Sequence, residues 1–351
     1  MIRVLVVDDS AFIRTAIRYM LRDENIEVVG TAKNGLEAIK KTIELKPDII
    51  TLDIKMPVMD GLTALKKIME IRPTPVIMLS ALTKDGAKET IEALRIGAVD
   101  FITKPKALTD ICSISKELIK KIKTVASSTP NLIRLQNLKK YKGGVVRGRF
   151  NRCEDKDICI LIGSSTGGPS ALEHIIPRFP SDLPASVFVV QHMPPNFTKQ
   201  LADRLNSISE IRVKEAENNE RVKKGVVYIA PGGKHMKVKR IFDKIVRIKI
   251  VDGKPVNAVK PSIDVTAESI VQTYGGNTIG VILTGMGCDG AYGMKLIKDH
   301  GGFTIACSED TCVVSAMPKA AIELGAIDSV KPLYEITDEI IRFLEVKCDG
   351  R

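Results

Sequence analysis

The sequence predicts two α/β domains, each with a doubly wound, mostly parallel sheet, joined by a basic linker. Strand-like apolar runs alternate with amphipathic helical patterns in both halves of the chain, which is typical of parallel sheets covered by helices. A polar, basic stretch at residues 121–156 interrupts the alternation. The length of 351 residues also suits two ordinary domains.

The first domain is expected at residues 1–120, as five strand–helix units of one parallel sheet. Its helical segments carry apolar residues at helical spacing, as in positions 11–21. In such a sheet, functional groups belong at the carboxyl ends of the strands. The predicted strands are 4–7, 28–32, 48–53, 76–81 and 100–104.

The linker predicted at 121–156 holds most of the net charge of +11. A domain that reads nucleic acid would concentrate basic residues on a folded module, so this distribution does not indicate a nucleic-acid partner. The linker is expected either to be a solvated tether or to dock on an acidic surface of a partner.

The second domain is expected at residues 157–347. Runs at 226–240 and 244–257, with turns at 231–233 and 252–253, predict a β-hairpin insertion. The remaining apolar runs, each followed by a helical pattern or a turn, predict buried strands of a mostly parallel sheet. These strands are 158–163, 186–192 and 278–285.

Composition is that of an ordinary soluble globular chain, with 44% apolar and 27% charged residues. No apolar stretch reaches the ~18–20 residues that a membrane span needs, so no membrane insertion is expected. The opening "MIRVLVVDDS" does not resemble a signal peptide, and we expect a cytoplasmic protein. The 7 cysteines form no Cys-x-x-Cys pair, which predicts free thiols in a reducing compartment and argues against zinc.

Acidic side chains follow two strands of the first domain. Asp8 and Asp9 follow the first strand, Asp53 ends the third, and Lys104 follows the fifth. Bare carboxylates at neighbouring strand ends would repel each other, so the cluster favours a hard cation with oxygen ligands, such as Mg²⁺. A carboxylate beside Mg²⁺ and a lysine can accept a phosphoryl group, because both cations neutralise the developing charge.

The motifs "VVDDS", "LDIKMPVMDG", "MLSA" and "ITKP" make residues 1–120 resemble the receiver domain of response regulators, which has a flavodoxin-like (βα)5 fold. The resemblance implies that a histidine kinase phosphorylates Asp53. It also implies the supporting residues: Asp8, Asp9, Asp53 and the backbone carbonyl of Lys55 for Mg²⁺, Lys104 for the phosphate, and Ser80 and Phe101 as switch residues.

A glycine-rich loop, "ILIGSSTGGPSAL", follows the first strand of the second domain. It lacks the lysine and spacing of a phosphate-binding P-loop, and it lacks the G-x-G-x-x-G fingerprint. It does match G-x-S-x-G at 163–167, a turn that exposes a serine and selects Ser165 over Ser164 or Thr166. The alternative is that these hydroxyls only cap the following helix.

A nucleophilic serine needs a base, and the chain has 4 histidines. His174 belongs to the helix after the loop, and His300 is expected at a helix carboxyl end, where a cation complements the dipole. His235 follows a turn and remains a second candidate. His192 ends a strongly apolar strand in the layer where Ser165 should lie, so it is the favoured base.

The base in turn needs an orienting acid. Asp289 lies in the glycine-rich loop "GVILTGMGCDGAYGM", which also offers backbone N–H groups for an oxyanion. The alternative role of Asp289 is to cap the helix that begins near Gly290. Asp264, in "KPSIDV", is the runner-up acid.

Residues 157–345 resemble the catalytic domain of chemotaxis protein-glutamate methylesterases, through "GSSTGG", "QHMPPNFT", "YIAPGGKHM", "PSIDV" and "ILTGMGCDGA". The resemblance implies a triad of Ser165, His192 and Asp289, in agreement with the choices above, and an oxyanion donor at the backbone of Met286. Cys288 departs from the usual polar residue. The implied substrates are methylated chemoreceptors, with glutamine deamidation as a common second activity and no cofactor in this domain.

The order of the two domains also matches that family, which implies regulation. The unphosphorylated receiver is expected to block the enzyme, and its phosphorylation by a chemotaxis histidine kinase is expected to release it. The rival interpretations are a DNA-binding response regulator and a nucleotide-binding protein. The near-neutral α/β second domain disfavours the first, and the missing P-loop lysine disfavours the second.

Overall fold

The chain forms two units, Met1–Asn137 and Leu138–Arg351, and each contains its own main sheet. The computed structural model describes residues 1–104, 111–127, 143–148, 150, 153, 156–242 and 245–349. None of the helices in these ranges is long and apolar enough to cross a membrane.

The first unit has the predicted alternation of strands and helices. Its five strands pair in parallel in the order β2-β1-β3-β4-β5, so the carboxyl ends of β1, β3 and β5 lie along one edge. The elements are β1 (Ile2–Val7), α1 (Ala11–Met20), β2 (Ile26–Ala32), α2 (Gly35–Leu45), β3 (Ile49–Asp53), α3 (Gly61–Ile71), β4 (Val76–Ser80), α4 (Lys84–Ile96), β5 (Asp100–Thr103) and α5 (Ile111–Ser127).

Side-chain caps explain where the first four helices begin. In each case a polar side chain just before the helix accepts a hydrogen bond from the backbone N–H three residues later, which satisfies one of the free donors of the first turn. The caps are Ser10, Asn34, Asp60 and Thr83.

The last helix of this unit continues into the predicted linker. Helix α5 reaches Ser127 because Leu118, Ile122 and Val125 form a buried stripe at helical spacing. The polar composition of 121–127 concealed that stripe in the sequence. Residues 128–142 of the predicted linker lie outside the described ranges, and Val146 donates a backbone hydrogen bond to Arg178 O of the second unit (2.9 Å). The boundaries at 120 and 157 remain predictions.

The second unit is built on a seven-stranded parallel sheet with the order β14-β13-β12-β6-β7-β9-β8. Its elements are β6 (Ile158–Ser164), α6 (Gly168–Ile175), β7 (Ala185–Gln191), α7 (Phe197–Ile208), β8 (Arg212–Glu215), β9 (Val226–Ile229), β10 (His235–Phe242), β11 (Ile245–Val251), α8 (Ile263–Tyr274), β12 (Thr278–Ile282), α9 (Ala291–Asp299), β13 (Phe303–Cys307), α10 (Ala316–Glu323), β14 (Ser329–Lys331) and α11 (Ile336–Asp349).

The hairpin insertion is present, but it lies later in the chain than predicted. Strand β9 belongs to the main sheet, where it pairs with β7 and β8, and only β10 and β11 form the antiparallel hairpin. The predicted turns at 231–233 and 252–253 therefore enter and leave the hairpin. The sequence analysis did not predict the short strands β8, β13 and β14, because their runs of three to five residues carry little periodicity.

The cysteines do not all remain free thiols, so that expectation was wrong. Cys153 and Cys348 form a disulfide across a sequence separation of 195 residues. It joins the segment before β6 to helix α11, a proximity that arises only in the fold and cannot be deduced from cysteine spacing. Cys159, Cys307 and Cys312 are buried free thiols, and Cys288 is an exposed one.

We predict that the Cys153–Cys348 disulfide stabilises the second unit, because it closes a long loop and so reduces the conformational entropy of the unfolded chain. Cys153→Ser should lower its free energy of unfolding by about 2–4 kcal/mol, as measured by calorimetry. Cys288→Ser is the control, since it removes an exposed thiol. Equal stability of both variants and the parent, or titration of all 7 thiols without reductant, would contradict the prediction.

Candidate functional site

The carboxyl ends of β12, β6 and β7 are adjacent, and they bring together the loops that carry the predicted triad. In the sheet, Gly163 of β6 pairs with Ile282 of β12 on one side and Val190 of β7 on the other. The glycine-rich loop follows β6, His192 follows β7, and Asp289 lies beyond β12. The three predicted residues therefore come from three neighbouring strand ends.

The loop after β6 exposes one of its three hydroxyl residues. Ser165 is partly exposed, whereas Ser164 and Thr166 are buried. Ser165 N–H donates to Thr284 O (3.0 Å), and Gly168 N–H donates to Ser165 O (2.8 Å). Gly167 has a φ of 77°, a left-handed conformation that glycine adopts without strain, and it turns the chain into α6.

The side-chain amide of Gln191 fixes this loop against β7. Its nitrogen donates to Ser165 O (2.9 Å) and His192 O (3.1 Å), and its oxygen accepts from Ser164 Oγ (2.7 Å). A side chain at Gly168 would collide with that oxygen, because an added Cβ would lie 1.9 Å away. Gln191 thus links the glycine-rich loop to His192.

His192 and Asp289 form a buried pair, with His192 Nε2 2.8 Å from Asp289 Oδ2. The other ring nitrogen, Nδ1, is buried and has no hydrogen-bond partner among the described residues. With its proton held on Nε2 by the carboxylate, the imidazole presents a basic lone pair at Nδ1. Among the described residues, this nitrogen makes no hydrogen bond to Ser165 Oγ, and such bonds often form only when substrate is bound.

Four donors surround the Asp289 carboxylate. Oδ2 accepts from His192 Nε2 and from the backbone N–H of Ile263 (2.7 Å), while Oδ1 accepts from Ser262 Oγ (2.7 Å) and Asn257 Nδ2 (2.9 Å). Burial alone would raise the pKa of Asp289, but these hydrogen bonds and the histidine beside it lower the pKa below its ordinary value. Asp289 is therefore held as a carboxylate.

Asp264, the runner-up acid, takes the capping role that was the alternative for Asp289. Its Oδ1 accepts from the backbone N–H groups of Gly290 (2.9 Å) and Gly293 (2.7 Å), at the start of α9. Burial, together with the nearby charge of Asp289, raises the pKa of Asp264 above its ordinary value. Asp264 thus anchors the loop that carries Asp289, and among the described residues its hydrogen bonds go to Asn257, Gly290 and Gly293.

The other three histidines have structural partners. His174 and His300 each hydrogen-bond the carbonyl four residues earlier in their helices. His235 is buried, donates from Nε2 to Lys254 O (2.9 Å) and accepts at Nδ1 from Ser262 N–H (3.2 Å). It therefore supports the segment that binds Asp289.

The loop between β12 and Asp289 packs against Ser165. An added Cβ at Gly285 would lie 2.8 Å from Ser165 Cβ and 2.1 Å from Met317 Sδ, so only glycine fits there. Met286, the predicted oxyanion donor, follows Gly285 in the sequence and is partly exposed. This exposure is compatible with contact to a substrate. Cys288 is exposed.

The acidic cluster of the first unit meets at the carboxyl ends of β1, β3 and β5, as predicted. Lys104 Nζ lies 2.7 Å from Asp8 Oδ2 and 2.8 Å from Asp53 Oδ1. Asp53 also accepts from the N–H of Ile54 (2.7 Å). Burial raises the pKa of Asp53, and the nearby Asp8 charge adds to this, although Lys104 opposes it.

The residues present at this cluster fit a hard cation. Carboxylate oxygens of Asp8, Asp9 and Asp53 lie within 4.8 Å of one another, and oxygen ligands of this kind are those that Mg²⁺ prefers. Lys55, whose carbonyl is the further predicted ligand, is exposed, and its Nζ lies 3.2 Å from Glu89 Oε1.

The predicted switch residues are both buried. Ser80 Oγ accepts from Thr90 Oγ1 (2.7 Å) and is 3.2 Å from Gly86 O, while Ser80 O accepts from Lys104 N–H (2.8 Å). The ring of Phe101 lies under Lys121, with Nζ 5.6 Å from its centroid. Ser80 is thus connected to Lys104 through the backbone.

Sequence reasoning missed the residues that hydrogen-bond to the predicted triad and its loops. Gln191 was visible only as part of a motif, and Asn257, Ser262 and Thr284 are distant in sequence from the residues they position. Thr284 Oγ1 donates to Thr166 O (2.9 Å) and accepts from Val314 N–H (2.9 Å). No spacing rule links such partners.

Comparisons with known proteins agree with this architecture. A family model for CheB methylesterase matches residues 160–340, and one for the response regulator receiver domain matches residues 4–116. A protein-glutamate methylesterase/protein-glutamine glutaminase of Archaeoglobus fulgidus is 70% identical over 350 residues, covering 99% of this chain and 100% of that protein. A protein of the same name from Methanococcoides burtonii is 61% identical over 352 residues, covering 100% of both chains.

A solved structure extends the similarity to the fold of the second unit. The catalytic domain of Thermotoga maritima CheB methylesterase matches with a TM-score of 0.53 and 47% identity, covering 54% of this chain and 99% of that one. The match agrees with the parallel α/β architecture around β12, β6 and β7. The chain therefore belongs to the CheB methylesterase family and carries a response regulator receiver domain in its amino-terminal half.

Proposed function

We propose that this protein is a phosphorylation-regulated hydrolase that demethylates glutamate γ-methyl esters of chemoreceptors and deamidates receptor glutamines. The observation that carries the proposal is the buried His192–Asp289 pair, 2.8 Å apart, at the strand end beside the partly exposed Ser165. The names of the relatives supply the substrate class. We place the activity in the cytoplasm, as expected from the sequence.

In the proposed reaction, Ser165 Oγ attacks the ester carbonyl while His192 Nδ1 takes its proton. The backbone N–H of Met286 donates to the oxyanion that develops on the carbonyl oxygen. The tetrahedral intermediate collapses, and His192 gives the proton to the departing methoxide, which leaves as methanol. Water then attacks the glutamyl ester of Ser165 with His192 as base, which releases the receptor with a free glutamate γ-carboxylate and restores the serine. With glutamine as substrate, the leaving group is ammonia.

The receiver is proposed to accept a phosphoryl group on Asp53 from a chemotaxis histidine kinase. Asp8, Asp9, Asp53 and the carbonyl of Lys55 would hold Mg²⁺, which when bound neutralises charge on the phosphoryl group. Lys104 Nζ, already beside Asp8 and Asp53, would then contact the phosphate. Its backbone bond to Ser80 and the burial of Phe101 offer a route by which the switch residues respond.

The direct test is incubation of the full chain with methyl-labelled chemoreceptor, with and without a small phosphodonor and Mg²⁺. Release of labelled methanol that rises with the phosphodonor supports the proposal. Retention on DNA or on immobilised nucleotide, without methanol release, would instead favour one of the rival functions.

We predict that Ser165→Ala lowers ester hydrolysis by about 10³-fold or more, because the nucleophile is lost. Ser164→Ala should keep activity within about tenfold of the parent, although the unpaired Gln191 oxygen should cost roughly 1–3 kcal/mol of stability. Labelled-methanol release and urea unfolding measure the two effects. If Ser164→Ala is the inactive variant, the assignment of the nucleophile is wrong.

We predict low basal activity that rises when a phosphodonor and Mg²⁺ are added. Asp53→Asn should abolish the rise, because the phosphoacceptor is gone, while leaving basal activity unchanged. A fragment that begins at Gly143, and so keeps Cys153, should be active without the phosphodonor. If this fragment is folded by circular dichroism yet no faster than the unphosphorylated full chain, the receiver stimulates the enzyme rather than inhibiting it.

We predict that Asp53→Asn stabilises the receiver at neutral pH. The pKa of Asp53 is raised on folding, so the folded state binds more protons than the unfolded state between the two pKa values, and stability falls as pH rises through that window. An asparagine avoids this loss, and Lys104 keeps Asp8 as a partner.

Calorimetry should therefore show a higher unfolding temperature for Asp53→Asn at neutral pH, and a vanishing difference at a pH below the ordinary aspartate pKa. Asp85→Asn, at an exposed position in the first turn of α4, is the control and should give no gain. A stability change that is independent of pH would show that burial of the Asp53 charge is not its cause.

A further inference from the structure

The loop between β11 and α8 brings an exposed asparagine to a buried carboxylate of the triad. Asn257 Nδ2 lies 2.9 Å from Asp289 Oδ1 and 2.8 Å from Asp264 Oδ2. Both partners are carboxylate oxygens, which only accept hydrogen bonds, so it must be the NH₂ group that faces them. Its two protons match the two acceptors.

The backbone holds Asn257 in place before any substrate arrives. Val256 and Val259 exchange backbone hydrogen bonds of 3.1 and 3.0 Å, which close a tight turn. The two residues inside it, Asn257 and Ala258, have φ values of 53° and 63°, the positive values that a type I′ turn requires. Asparagine tolerates this conformation better than most residues.

A salt bridge joins the two ends of the same loop. Lys260 Nζ lies 2.7 Å from Asp252 Oδ1 and donates to Gly253 O (3.0 Å). The loop is therefore fixed at both ends and at its tip, and the position of the Asn257 amide is set by the turn.

The two carboxylates that Asn257 bridges have different hydrogen-bond partners. Asp289 orients His192, and Asp264 holds the amides of Gly290 and Gly293, which fix the loop that carries Asp289. Two neighbouring carboxylates repel each other, so a group that donates to both is needed to hold them in this arrangement. Of these two carboxylates, Ser262 Oγ and the Ile263 amide donate to Asp289 alone.

We propose that Asn257 is a positioning residue of the reaction: its amide joins Asp264 to Asp289 and so holds Asp289 in the orientation that keeps the His192 proton on Nε2. This inference rests on the proposed esterase function. Asn257 acts through Asp289 and does not itself contact the reacting atoms.

The test uses the full chain with phosphodonor and Mg²⁺. Asn257→Gly removes the amide but keeps positive φ accessible, and Asn257→Asp keeps the shape but replaces the donor by a third carboxylate. Asn219→Gly is the matched control, because Asn219 is also exposed with a positive φ of 67°. Circular dichroism verifies that all three variants fold.

We expect kcat for methyl ester hydrolysis to fall about tenfold to a hundredfold in Asn257→Gly, with KM changed less than about twofold, because a charge-assisted hydrogen bond to the triad acid is lost. Asn257→Asp should lose more, and Asn219→Gly should match the parent. Activity of Asn257→Asp equal to that of the parent, or equal losses in Asn257→Gly and Asn219→Gly, would overturn the inference.

A readout that needs no substrate separates this inference from the proposed function. In protein with ¹⁵N-labelled histidine, the Nε2–H proton of His192, assigned with His192→Gln, should resonate at low field because of its bond to Asp289. Asn257→Gly should move that resonance, and Asn219→Gly should not. An unmoved resonance contradicts the positioning role even if the esterase is active. A moved resonance supports the role even if no methyl ester is cleaved.

Discussion

The hydrogen-bonded carboxylate of Asp289 is the interaction on which the proposed catalytic arrangement depends. A buried carboxylate is costly unless donors surround it, and this one has donors from His192, Ser262, Ile263 and Asn257. The donors lie at the end of β7, at the start of α8 and in the loop after β11, and Asp289 itself lies in the loop after β12. The acid therefore organises four segments that are distant in sequence, and the imidazole is one of the groups that it aligns.

The receiver also contains buried carboxylates, but their charge is compensated in a different way. Its buried carboxylates, Asp8 and Asp53, are paired with one ammonium group from Lys104 and lie beside Asp9, which gives a site suited to a second cation. Asp289 instead relies on neutral donors and a histidine. The first arrangement favours the binding of further positive charge and of a phosphoryl group. The second arrangement stabilises a carboxylate beside a histidine, and both sites lie at the carboxyl ends of parallel strands.

Much of the fold was predictable, because buried strands and amphipathic helices have distinct periodicities. The five strands of the first sheet and the central strands β6, β7 and β12 followed from apolar runs. The choice of Ser165 followed from the G-x-S-x-G match, that of His192 from its place at a strand end, and that of Asp289 from its glycine-rich loop after a strand. Other features could not be predicted, because each depends on contacts between segments that are far apart in the sequence. These features are the hydrogen bonds of Gln191 and Asn257, the position of the hairpin and the Cys153–Cys348 disulfide.

If Ser165 is the nucleophile, it forms a glutamyl ester during turnover, which rapid acid quenching followed by peptide mass mapping can detect. The phosphorylated full chain would be mixed with a methylated receptor fragment and quenched within one turnover. We expect a receptor-derived acyl group on the peptide that contains Ser165, formed as methanol is released. Methanol release with the acyl group on another residue, or with no covalent intermediate at any quench time, would contradict it.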